Sequence, residues 1–278
     1  KYSGQETPKE LLEGKTFAFI SGVPKLLGTQ FPFKQHGESG AWVSDRMPHL
    51  AKHVDDICFI KSMKTDQFNH APAQLLTHTG SPLSGKPSMG SWATYGLGTM
   101  NQNLPGFVSL LSGGNAPDGG KQLWGSGFLP SVYQGVECRS HGDPVLYLSN
   151  PENVSRPLRR RVLDAISSIN QQSYQQLGDP ETLTRIAQYE MAYRMQMSVP
   201  ELTDMSKETE ATYELYGPDA KKPGAFGYTA LMARRLAERG VRFTQIFHRG
   251  WDQHGSLPRD ITAQCKDIDQ ACYGLIQD

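Results

Sequence analysis

Apolar positions in this chain change period several times, and each change marks an element. DRMPHLAKHVDD (45–56) places Leu50 and Val54 four apart behind an acidic residue, which predicts a helix, and ICFIKSM (57–63) is a continuous apolar run that predicts a buried strand. QFNHAPAQLLTHTG follows, with Pro72 placed for the first turn of a helix running to about His78. PSMGSWATYGLG (87–98) predicts a short helix ending at glycine, and PGFVSLL (105–111) a second strand.

Residues 112–150 hold so much Gly, Pro and Ser that they read as one long loop, of the kind that covers something or carries function. Residues 156–216 are mainly helical. RPLRRRVLDAISSINQQSYQQL puts Leu158, Val162, Ala165 and Ile166 on one stripe, and Gly178-Asp179-Pro180 stops that helix and caps the next. In GYTALMARRLAERGVRFTQIFHRGWDQHG an amphipathic helix stops at Gly240 and a strand follows over 241–247. A last helix, from about Pro258 to Gln277, carries a stripe of Ile261, Cys265, Ile268, Cys272, Leu275 and Ile276. Upstream of residue 45 the chain reads as an irregular lead-in, with the apolar run TFAFI as a short strand.

Strands alternating with helices predict an α/β fold with a mostly parallel sheet. Three buried strands are few for so many helices, since a doubly wound sheet usually has about five or six. The expectation is therefore one partial domain over 1–278, with a sheet incomplete at both ends.

Composition narrows the partners. Lys plus Arg (28) equals Asp plus Glu (28), so no global field draws nucleic acid or an anionic membrane, and a small molecule or a protein surface is expected. No apolar stretch reaches the roughly 18 residues of a membrane span. The four cysteines form no CxxC pair, which argues against a zinc ribbon or a redox motif.

The chemistry-bearing residues gather at two places. HRGWDQHG follows a strand, at the edge where ligands bind in open α/β sheets, and Asp252 with His254 offers an oxygen and a nitrogen suited to Zn, Mn or Fe. The alternative is that Asp252 caps a turn and His254 is surface. In the second place, Asn69 or His70 begins a helix whose free N–H groups favour an anion, against the alternative of a plain N-cap followed by polar surface. Tryptophans at 42, 92, 124 and 251 suit sugar stacking or core packing equally.

Two segments carry a resemblance. MPHLAKHVDDICFIKSM is similar to the sulfatase helix that leads into a strand, and HAPAQLLTHTG has the frame of the sulfatase signature CxPSRxxxxTG, with Pro72 and Thr79-Gly80 in place and His70 where the family has its nucleophilic Cys or Ser. More closely, FNHAPAQLLTHTGSPLSGKPSMGSWATYGLG, LPGFVSLLSGG, LWGSGFLPSVYQG, SVPELTD and RGVRFTQIFHRGWDQHG resemble, over essentially the whole chain, a sulfatase-like bacterial family abundant in planctomycetes, domain-of-unknown-function family 1501. The resemblance implies the three-layer α/β/α fold of the alkaline-phosphatase superfamily, hydrolysis of sulfate or phosphate esters on a small molecule or polysaccharide, a divalent metal (Zn, Mn, Ca or Mg), and export. By position it implies His70 as the catalytic residue and Asp252 and His254 as metal ligands; the residues themselves add Asn69 at the helix start, His78 and Trp251 as substrate contacts, and His248 as a substrate contact or a third metal ligand. One residue separates Asp252 from His254, where alkaline phosphatases have three between the corresponding ligands. The other reading is a non-catalytic relative that binds a polysaccharide or a protein.

Overall fold

A computed structural model describes residues 2–15, 21–114, 116–139, 144–145 and 149–278, so the strand expected at TFAFI lies outside the described residues. Its strands are β1 (Phe33–His36), β2 (Ala41–Ser44), β3 (Phe107–Ser112), β4 (Val136–Cys138) and β5 (Phe243–His248). The helices are α1 (Lys9–Leu12), α2 (His70–Thr79), α3 (Met89–Leu97), α4 (Arg156–Leu177), α5 (Pro180–Thr203), α6 (Glu210–Tyr216), α7 (Phe226–Glu238) and α8 (Leu257–Gln277).

The central sheet has the order β4-β3-β5, and both pairings are parallel. Because side chains alternate along a strand, β3 and β5 in register present two distinct faces. Val108 and Leu110 join Cys138, Met195, Val199 and Leu202 of α5, and Met232 and Leu236 of α7 in one apolar cluster. Phe107 joins Leu75 of α2, Leu123 and Trp124 in another, with Leu111, Phe243 and Phe247 packed against it. Helices thus cover both faces, as a parallel sheet requires, and the mixed α/β expectation holds with a small sheet.

Helix ends follow their local chemistry. Ser155 accepts the Leu158 N–H at the start of α4, and Gly178 ends it at φ 68°. Asp179 accepts the Glu181 N–H and Pro180 opens α5. Among the described residues no helix is long and apolar enough to cross a membrane.

Several expectations require correction. Residues 57–63 form no strand: both sides of β3 are taken by β4 and β5, no ladder partner meets this run among the described residues, and Phe59, Ile60 and Met63 are exposed. The third strand is instead β4, inside the segment read as loop. The 45–56 stretch is a 3-10 turn over Leu50–Asp56, broken at His53, not a regular helix. Its entry is capped from far away: Asp269 of α8, 3% exposed, accepts the N–H groups of His49 and Leu50 and meets His49 Nδ1 at 2.8 Å.

The lead-in contains an antiparallel hairpin, β1–β2, whose turn donates the Glu38 and Ser39 N–H groups to Asp55. Gly37 in that turn has φ +65°, and a Cβ there would stand 2.4 Å from Asp55 Oδ2, so both conformation and space demand glycine. On α4 the stripe faces outward: Leu158 and Val162 are exposed and Leu163 is the buried residue, because α5 packs on the other side. There Arg160 pairs with Asp164 and Glu190, so the Arg159-Arg160-Arg161 run is partly engaged within the fold.

Candidate functional site

The site is built where α2 meets the loop after β5. Apolar contact seats α2: Leu75 packs among Phe107, Leu123 and Trp124. Gln74 adds a polar tie, accepting the Gly119 N–H at 2.8 Å. On the sheet side, His78 Nδ1 lies 2.9 Å from Gln245 Nε2, a distance at which the amide donates to a neutral imidazole, and its ring meets Phe247 edge-on. Burial holds the His78 imidazole below its ordinary pKa.

With α2 fixed in this way, its first residue reaches the β5 loop. His70 Nε2 stands 2.8 Å from Asp252 Oδ2, and His254 Nε2 stands 2.6 Å from the same oxygen. Side chains 182 positions apart, His70 and Asp252, therefore meet at one carboxylate that His254 shares. Their side chains are 57%, 47% and 83% exposed in the order His70, Asp252, His254, so solvent and solutes reach all three. Desolvation pushes the Asp252 carboxyl up, but hydrogen bonds from His254 and His70 outweigh it and leave the group below its ordinary pKa.

A ligand atom from each of the three residues lies within 4.8 Å of the others. Two imidazole nitrogens and a carboxylate oxygen form a donor set suited to a borderline divalent cation, so these residues fit a metal. Asn69 precedes His70 at the N-cap with extended backbone, yet its side chain makes no cap hydrogen bond. The first-turn amides of His70 and Ala71 have no intrahelical acceptor, which leaves a weakly positive helix end beside the cluster.

The other predicted residues sort themselves by face. His248 lies on the side of the sheet opposite His78, its Nδ1 3.2 Å from Ser112 Oγ and its ring 5.1 Å from that of Phe226. Desolvation lowers its pKa against the opposing pull of Asp267 and Gln264. Trp251 is 43% exposed and its ring centroid lies 6.3 Å from that of His248. His78 does not join the cluster: it is held under α2 by the sheet. Trp124 is core, while Trp42 and Trp92 are exposed.

Across its full length, residues 1–278, the chain matches the model of the family described as Protein of unknown function (DUF1501). It belongs to that family. No curated protein and no solved structure matches it.

Sequence reasoning missed the residues that shape this family member's site from behind. Arg249 donates to Asp118 at 2.8 Å and to the Ala116 carbonyl at 3.1 Å, tying the β5 loop to the Gly-rich segment. The signal was present as an acidic residue among glycines in SGGNAPDGG, but its partner lies 131 residues away.

Proposed function

We propose that this protein is a metal-dependent hydrolase of sulfate or phosphate esters. The observation that carries the reading is the convergence of His70, Asp252 and His254, from two distant segments, on one exposed point beside a helix N-terminus. His70 Nε2, Asp252 and His254 Nε2 would hold one divalent cation, which supplies Lewis-acid polarisation of an ester oxygen. The free amides of His70 and Ala71 orient the anionic group, and the side chain of Asn69, unused as a cap, stands ready to hydrogen-bond it. Pro72 preserves the turn at the position it has in the sulfatase frame.

We assign His70 as a ligand because its Nε2 lies where the Asp252 and His254 ligand atoms converge. The sulfatase resemblance, and with it an alkaline-phosphatase-like architecture, supports the ester class. Metal analysis of the purified chain tests the proposal: stoichiometric divalent metal, lost in Asp252→Ala, with turnover of an aryl sulfate or phosphate that needs the metal. Absence of stoichiometric metal from the wild type after incubation with Zn, Mn, Ca and Mg would sink it.

A non-catalytic reading has its own support. Trp92, Tyr95, Phe128 and Tyr133 form a chain of edge-to-face rings 5.2–5.9 Å apart, and Trp92, Tyr95 and Phe128 are exposed. On that reading the protein binds a polysaccharide or a protein, metal is retained in structure only, and no aryl ester turns over.

A further inference from the structure

A cavity of about 480 Å³, which none of His70, Asp252 and His254 lines, opens at the carboxyl ends of β3 and β5, where Ser112 and His248 border it. That volume falls within the range of small-molecule sites, and the carboxyl edge of a parallel sheet is where such sites form. Its charged lining is mixed. Asp219 and Asp267 supply carboxylates and Lys222 an ammonium. Among the described residues neither Asp219 nor Lys222 has a side-chain hydrogen bond or ion pair, and Asp267 Oδ2 stands 3.9 Å from His248 Nε2.

His248 also lines the cavity, with a side chain only 10% exposed, and among the described residues its buried Nε2 completes no well-formed hydrogen bond, Gln264 and, at 3.9 Å, Asp267 being its polar neighbours. A buried polar atom left unpaired costs stability unless something satisfies it. Phe226, in ring contact with His248, adds an apolar face, and the start of α7, uncapped by any side chain, adds free amides.

The charge arithmetic selects among ligands. Two carboxylates repel a simple anion, while the lysine and the helix N-terminus disfavour a bare dication. A neutral polyhydroxyl ligand suits all of them: its O–H groups donate to Asp219 and Asp267, its oxygens accept from Lys222 and the amides, and its C–H face stacks on an aromatic ring. We propose that this cavity binds a neutral sugar unit. As a statement about substrate the proposal rests on the ester-hydrolase reading, making the ester a carbohydrate ester; as a statement about binding it stands without any metal.

Saturation-transfer NMR and calorimetry with the methyl glycosides of glucose, galactose and mannose, on the 278-residue chain in EDTA, test it. At least one glycoside is expected to bind, with affinity lowered by about tenfold or more in Asp219→Asn and in Lys222→Gln. Both residues lie on the surface, so matching thermal melts establish that the variants are folded. Asp252→Ala is expected to leave glycoside binding in EDTA unchanged, which separates this site from the metal cluster. No binding of any of the three glycosides, binding indifferent to both cavity substitutions, or sulfate binding strengthened by Asp219→Asn would overturn the proposal.

Discussion

Two carboxylates in this molecule each bridge a pair of nitrogen bases, and they do so in opposite surroundings. Glu208 joins Arg234 and Arg235, and its side chain is 7% exposed. Arg235 is completed by the carbonyls of Leu202, Glu201 and Asp204, so little of its hydrogen-bonding capacity is left over. Asp252 joins His70 and His254 with every partner open to water and, among the described residues, with no backbone group completing the imidazoles. The first arrangement locks α5, α7 and the turn before α6 together. In the second, the side chains are open to solvent, which is what the proposed exchange of a hydrogen bond for a metal bond requires. Burial and completeness, more than residue type, separate a structural ion cluster from a site.

The sharpest way to break that distinction is Glu208→Ala. It leaves the buried Arg235 guanidinium without its anion and Arg234 with only Asp278 and Glu238, and is expected to cost about 3 kcal/mol or more, read from urea unfolding. Asp252→Ala should do the reverse, leaving the urea midpoint in place while weakening divalent-metal binding by about 100-fold or more in calorimetry. Equal destabilisation by the two substitutions would remove the contrast.

A pH series sharpens it further. Desolvation works against the Glu208 carboxylate, yet hydrogen bonds from Arg235 and Arg234 keep its folded pKa below the ordinary glutamate value. Its stabilisation is therefore complete above the unfolded value of about 4.3 and is lost as pH falls through the lower folded value. Urea melts from neutral pH downward should show wild-type stability declining there and Glu208→Gln declining less. The smallest effect belongs to His254→Ala. As the most exposed of the three ligands it is expected to lower metal affinity by about tenfold, leaving His70 and Asp252 to retain weak binding.

How much of this was legible in the sequence depended on how local its cause is. Helices α4, α5, α7 and α8 announce themselves through period and caps, Ser155, Asp179 and Gly178 among them, because those interactions span a few residues. Strands β3 and β5 were legible for the same reason. β4 was not: Val136–Cys138 has only three residues and owes its conformation to pairing with β3. The run 57–63 has the composition of a strand but, among the described residues, no neighbour to pair with, and composition alone cannot show that. At the site, residue type and position after β5 marked Asp252 and His254, and the helix start marked His70. Their meeting depends on the β5 loop and α2 being placed by packing around Trp124, Leu75 and Phe247, which no local pattern encodes.

Asp269 carries a consequence for the order of events in folding. The turn at Leu50–Asp56 receives its cap from a side chain 219 positions further along, so the interaction contributes nothing until the residues between have been brought together. Contacts of such separation form slowly because the intervening chain must first lose its freedom. During refolding, amides around residue 50 should therefore gain protection from hydrogen exchange later than those of α4 and α5, whose backbone hydrogen bonds lie within each helix. Synthesis imposes the same delay: the cap does not exist until α8 has been made.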